Sequence, residues 1–329
     1  MKPLAITLGD PAGIGGEVVI AALQQMASRP PVWLFGEWDY VAALPNSRTT
    51  LQTFRRVTQF LDGGENGDLF FDVALGGSRP LQYGVVEPLY GAIALASIEA
   101  AHEAIDRGLC SGMVTAPLNK QAINAAGSKF PGHTELLAAR SGLHHYAFDY
   151  AMYFDSPNLR VALLSVHLPL RRALDQISAG TIAALARLVS REYARLYGSL
   201  PRMAAAGVNP HAGEGGLFGA EDELVAAGVR QATEEGLLIT GPHAADTVFH
   251  SAVKGRHDVV LAMYHDQGLI AIKTLAFASS VNVTIGLPYL RCSVDHGTAF
   301  DIAGKGLADA TPMRQAIEWG LRHASRFVP

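Results

Sequence analysis

At 329 residues the chain exceeds the length at which one hydrophobic core usually keeps growing, so two α/β domains around a shared cleft are expected. An apolar share of 49% against 17% charged argues against a disordered chain and suits buried parallel sheet. The net charge of −4, with no Lys/Arg run, argues against a nucleic-acid partner, and no apolar run approaches the roughly 18 residues of a membrane span.

The first apolar run, residues 4–8, is too short for a signal-peptide core and reads as a strand. Glycine-rich residues 9–16 follow and open a helix at 17–26. Further strand-length runs fall at 32–35, 113–116, 161–166, 203–208, 259–263 and 281–285. Between them 89–107, 136–140, 181–197, 220–235 and 313–326 have helical composition, with Gly108, Gly198 and Gly236 placed to end three of these helices. Such alternation implies parallel strands with crossover helices. Residues 44–83 are less regular and read as an antiparallel excursion, with the cluster 62–68 as a solvated turn. The expected division is a first domain of 1–129 completed by 300–329, and a second of 130–299 carrying the metal and substrate ligands. Cys110 and Cys292 lie far apart without CxxC spacing, so neither a disulfide framework nor a thiolate zinc site is indicated, and a reducing cytoplasm is the expected location.

Three apolar runs end in histidines: His167, His211 and His265. In open parallel sheets ligands bind beyond the C-terminal strand ends, and three imidazoles leave a coordination position open, as catalytic metal sites require. Taken singly, a histidine after a strand is more often a satisfied loop residue, and the chain has 12 in all. The loop 9–16 misses the GxGxxG spacing, because Val18 stands where the third glycine would fall from Gly13. It is either an anion cradle or a turn that needs glycine for geometry. His133 and Thr134 stand at a helix start that favours an anion, although Thr134 is equally an N-cap. Lys273, Asn282 and Arg291 fall in one late stretch beside the third histidine and together suit an anionic substrate.

The segments Gly9-Asp-Pro-Ala-Gly-Ile-Gly15, Thr115-Ala-Pro117, Gly132-His-Thr-Glu135, Gly207-Val-Asn-Pro-His-Ala-Gly-Glu-Gly215, Ala262-Met-Tyr-His-Asp-Gln-Gly268 and Arg291-Cys-Ser-Val-Asp-His-Gly-Thr298, in this order along nearly the whole chain, resemble the 4-hydroxythreonine-4-phosphate dehydrogenases of vitamin B6 biosynthesis. The resemblance implies an α/β, two-domain fold like that of isocitrate and isopropylmalate dehydrogenases, with the active site in the interdomain cleft. It implies a homodimer whose metal site is shared between subunits. The implied activity is NAD- or NADP-dependent oxidation of 4-phosphooxy-L-threonine to 2-amino-3-oxo-4-phosphooxybutanoate, which decarboxylates to 3-amino-2-oxopropyl phosphate. By carry-over His167, His211 and His265 bind one divalent metal per subunit, zinc foremost, with magnesium or cobalt as alternatives. His133, Thr134, Lys273, Asn282 and Arg291 contact the phosphorylated substrate. The chain departs from the family pattern at His243 and Ala244, where an apolar residue and a proline are expected. No residue is singled out as the proton acceptor; Asp246 and Asp266 are both candidates. Alternative readings are a dehydrogenase of 4-phosphothreonate, a phosphate acyltransferase of related fold, and a non-catalytic metal-binding module.

Overall fold

A computed structural model describes residues 2–26, 28–60 and 67–327. The chain divides into two compact units, Met1–Arg140 with Pro288–Pro329, and Ser141–Leu287. The boundaries expected at 129/130 and 299/300 would have put His133, Thr134 and Arg291 in the second unit; this division puts them in the first.

The first unit holds strands β1 (Leu4–Thr7), β2 (Val32–Gly36), β3 (Arg55–Val57), β4 (Leu69–Asp72) and β5 (Gly112–Thr115). The second holds β6 (Ala151–Asp155), β7 (Arg160–Leu163), β8 (Met203–Ala206), β9 (Ile239–His243), β10 (Val259–Ala262) and β11 (Val281–Ile285), and β12 (Leu290–Ser293) returns to the first. In the first unit the strand order is β3-β4-β2-β1-β5-β12, parallel throughout. Every residue of β1, β2 and β5 is buried, as expected of strands covered on both faces.

The antiparallel excursion expected over 44–83 is not what forms, since β3 and β4 both join the sheet in parallel. Side chains fix this register. Asp68 accepts the Val32 amide at 2.9 Å and holds Arg29 through two 2.8 Å contacts, while Asp72 accepts the Trp38 amide at 3.0 Å. Asp68 is therefore a largely buried ion-pair partner rather than part of a solvated turn; residues 62–66 of that expected turn lie outside the described residues.

In the second unit the order is β11-β6-β7-β10-β8-β9. β6 runs antiparallel to both neighbours, whereas β7, β10, β8 and β9 are parallel. The helix Ala179–Tyr197 shows how the local sequence sets such an element. Ser178 and Thr181 form a reciprocal capping box at its start, and Gly198 ends it at φ 78°. Ile182, Leu185, Val189 and Leu196 fall on its buried face and Arg187 and Arg191 on the exposed one. No helix among the described residues is long and apolar enough to cross a membrane.

Candidate active site

β7, β10 and β8 are neighbouring parallel strands, so the loops that leave their C-terminal ends emerge side by side. His167 follows β7, His265 opens the helix His265–Ala276 after β10, and His211 lies in the turn Pro210–Gly216 after β8. All three expected histidines thus stand at one edge of the sheet.

Two polar side chains build this edge. Gln267 is buried and accepts the Met263 amide at 2.7 Å, while its Nε2 donates to the Gly207 carbonyl at 2.7 Å, which ties the loop of His265 to the loop of His211. Asp222, also buried, accepts the amides of Val208 at 2.7 Å and Asn209 at 3.0 Å. A Cβ on Gly207 would lie 2.8 Å from both Ala212 and Asp222, so the close approach of this loop requires glycine.

The rings of His167 and His265 lie 5.5 Å apart between centroids. His265 Nδ1 contacts Asp266 Oδ1 at 2.7 Å, which leaves Nε2 as the ring nitrogen not engaged by the carboxylate, a carboxylate–imidazole arrangement typical of metal-binding histidines. His211 is exposed and packs by Phe218, with centroids 6.4 Å apart, in a turn whose residues His211 to Gly215 all have positive φ. No three His, Cys, Asp or Glu side chains among the described residues form a metal-sized cluster. Among the described residues His167 and His265 are brought side by side, and His211 does not join them in a three-ligand cluster.

In the first unit Arg291, on β12, is 3% exposed. Its Nη2 donates to Thr115 Oγ1 at 2.6 Å and its Nη1 to Thr134 Oγ1 at 3.5 Å. Burial lowers its guanidinium to about 10, which leaves it charged at neutral pH. His133 Nε2 is buried without a hydrogen-bond partner among the described residues. Burial, aided by the Arg291 charge, pushes its imidazole well below its usual value and keeps it neutral. Lys273 and Asn282 belong to the second unit: Lys273 Nζ sits 5.9 Å from the Phe277 ring centroid, and Asn282 Oδ1 is buried without a partner among the described residues.

In the glycine-rich loop, geometry requires glycine at residue 9. Gly9 has φ 70°, and a Cβ there would lie 2.0 Å from the Pro117 carbonyl oxygen. The amides of Asp10, Ala12, Gly13 and Ile14 are all taken by partners within the fold, so they are not left for an anion.

A family model described as "Pyridoxal phosphate biosynthetic protein PdxA" matches residues 38–320. The chain belongs to the PdxA family. The 4-hydroxythreonine-4-phosphate dehydrogenase of Ruegeria sp. (strain TM1040) is 39% identical over 330 residues, covering 99% of this chain and 98% of that protein. The D-threonate 4-phosphate dehydrogenase of Salmonella typhimurium is 38% identical over 331 residues, covering 98% and 99%. The crystal structure of a 4-hydroxythreonine-4-phosphate dehydrogenase from Klebsiella pneumoniae is 38% identical, covers 98% of this chain and 100% of that one, and superposes with a TM-score of 0.85.

The PdxA match includes every histidine at the sheet edge and every residue around Arg291, and leaves the loop 9–16 outside it. Within this PdxA chain, three functional supports escaped sequence reading: Thr115, Gln267 and Asp222. Thr115 and Gln267 sit inside quoted motifs, but only the fold reveals that one positions a guanidinium and the other bridges two loops.

Proposed function

We propose that the chain is a metal-dependent dehydrogenase that oxidises 4-phosphooxy-L-threonine with NAD or NADP, giving 2-amino-3-oxo-4-phosphooxybutanoate, a β-keto acid that loses carbon dioxide to give 3-amino-2-oxopropyl phosphate. The observation that carries this reading is full-length identity of 38–39% to dehydrogenases of two four-carbon hydroxy acid phosphates, combined with His167, His211 and His265 at the ends of three adjacent strands. The second reading, D-threonate 4-phosphate as substrate, is favoured by a relative that is 38% identical over 98% of this chain. The two substrates differ where one bears an amine and the other a hydroxyl.

His167, His211 and His265 would hold the divalent ion, with zinc ahead of magnesium or cobalt, in a site completed across a homodimer; the reading also includes a cytoplasmic location. When bound, the ion supplies Lewis acidity that eases deprotonation of an alcohol, and the nicotinamide supplies the hydride acceptor. Asp266 fixes the tautomer of His265 through the 2.7 Å contact. Arg291, set by Thr115 and Thr134, offers a planar fork to the substrate's anionic end, and neutral His133 adds a hydrogen-bonding nitrogen without adding charge. Lys273 and Asn282 complete the substrate contacts. Asp246 and Asp266 are the candidate acceptors of the hydroxyl proton. Carbon dioxide is lost readily from the oxidised product because the electrons left behind delocalise onto the new carbonyl.

The test is turnover of 4-phosphooxy-L-threonine beside 4-phosphothreonate, with NAD+ and NADP+ in turn, using metal-stripped and reconstituted protein. Preferred oxidation of the amine-bearing substrate, dependent on metal, is the expected result. Preference for the threonate installs the second reading, and no nicotinamide reduction with either substrate refutes both.

A further inference from the structure

A cavity of about 430 Å³ lies within the second unit against one face of the helix Ala245–Val253 and the turn that follows it. Small-molecule sites fall in the same size range, roughly 300–1,000 Å³. His243, Thr247, His250, Lys254, Arg256 and His257 supply its polar wall. Every ionisable group on that wall is a base; no carboxylate lines it among the described residues. Lys254 and Arg256 are exposed. Neither forms an ion pair among the described residues, whereas Arg29, Arg160, Arg187 and Arg202 each have a carboxylate partner. Asp258, beside His257 in sequence, acts on that ring as an opposing charge, but it does not line the wall and Arg202 holds it at 2.9 and 3.0 Å.

The histidines extend the same pattern. The rings of His243 and His257 stand 5.3 Å apart, and Thr240 Oγ1 lies 2.8 Å from His243 Nε2. Burial, then the neighbouring His243 and Arg202, hold His257 below its usual value, as expected where positive charge is already concentrated.

We propose that this cavity is a binding site for a small polyanion of the phosphate class, gripped by the Arg256 fork and the Lys254 ammonium, with the histidines as further donors. The site shares none of the eight residues assigned to metal and substrate.

Competitive acetylation of the intact protein, read by mass spectrometry at constant ionic strength, tests this locally. Inorganic pyrophosphate is expected to slow acetylation of Lys254 about fivefold at high occupancy while leaving exposed Lys129 unchanged. Arg256→Gln is expected to abolish the protection without shifting the thermal transition. Parallel arms with NAD+ and NADP+ identify the source. Protection by NADP+ at lower concentrations than pyrophosphate assigns the site to cofactor phosphates, and protection by pyrophosphate alone assigns it to a free anion. Absent protection, equal protection of Lys129, or protection that survives Arg256→Gln overturns the proposal.

Discussion

Replacing Thr115 by Val removes one hydroxyl and nearly preserves shape. That hydroxyl accepts the 2.6 Å bond from Arg291 Nη2, while the bond to Thr134, at 3.5 Å, is at the limit of hydrogen bonding. Thr115 is 1% exposed and Arg291 3%, so solvent has little access to replace the lost acceptor. A hydrogen bond to a charged group contributes about 1.5–3 kcal/mol, and Thr115→Val is expected to lose that much stability in urea denaturation. With the 2.6 Å contact to Arg291 lost, KM for the phosphorylated substrate is expected to rise up to about ten- to a hundredfold, with a smaller fall in kcat, since each 1.4 kcal/mol corresponds to a factor of ten. Steady-state kinetics at saturating nicotinamide measure both constants. Thr115→Ser retains the hydroxyl and is expected to restore them. Wild-type stability and KM in Thr115→Val would mean that Arg291 does not depend on this contact, and equal damage in Thr115→Ser would show that the hydroxyl is not the cause.

Gln267→Leu leaves the Met263 amide and the Gly207 carbonyl unpaired, with an expected loss of about 2–4 kcal/mol and weaker metal binding, because the loops of His211 and His265 are no longer tied together; metal affinity equal to wild type would refute the second part. Burial raises Asp10 from 3.8 to about 6 against opposing bonds from the Ala12 and Asn119 amides. Because the folded value is the higher one, its stabilising contribution is complete below about pH 4 and is lost as pH rises through 6. Asp10→Asn should therefore gain about 2–3 kcal/mol on wild type between pH 4 and 7, and parallel denaturation profiles over that range would reject the assignment. If His167 and His265 ligate from one chain, as their 5.5 Å separation favours, and His211 ligates across the dimer, then mixing His211→Ala with His265→Ala subunits should restore about a quarter of wild-type activity. A His167→Ala and His265→Ala mixture should stay inactive, and recovery there would reassign the ligands.

Much of this architecture was legible because buried strands leave a plain trace: continuous apolar runs of strand length. The runs that became β1, β2, β5, β7, β8, β10 and β11 were found for that reason, although β7 stops at Leu163, short of the expected end at 166. β3 was missed because its two arginines, Arg55 and Arg56, are exposed at the sheet's edge. β6 was missed because nothing local distinguishes Ala151–Asp155 from a helix segment, and its antiparallel direction is set by partners distant in sequence. The strand-end histidines could be placed because an imidazole after an apolar run is conspicuous. The grip on Arg291 could not, because Thr115 and Thr134 reach it from elements 176 and 157 residues away in sequence. The basic wall at 243–257 showed only as a departure at His243, since its cations gain significance from sharing a cavity.

The placement of β12 bears on how the molecule is made. β5 ends at Thr115, and the strand that pairs along its edge begins at Leu290, after the whole second unit has been threaded between them. On the ribosome, at roughly 5–20 residues per second, β5 therefore waits on the order of 10–35 s for its neighbour. Through that interval Met113 and Val114, fully buried in the finished molecule, lie on a strand with unpaired edge amides and carbonyls, the kind of template that recruits strands from other chains. The second unit has a shorter delay of the same kind, since β6 ends at Asp155 and its partner β11 begins at Val281, although all six of its strands are drawn from one uninterrupted stretch, Ser141–Leu287. During synthesis the longer wait falls on the half that emerges first.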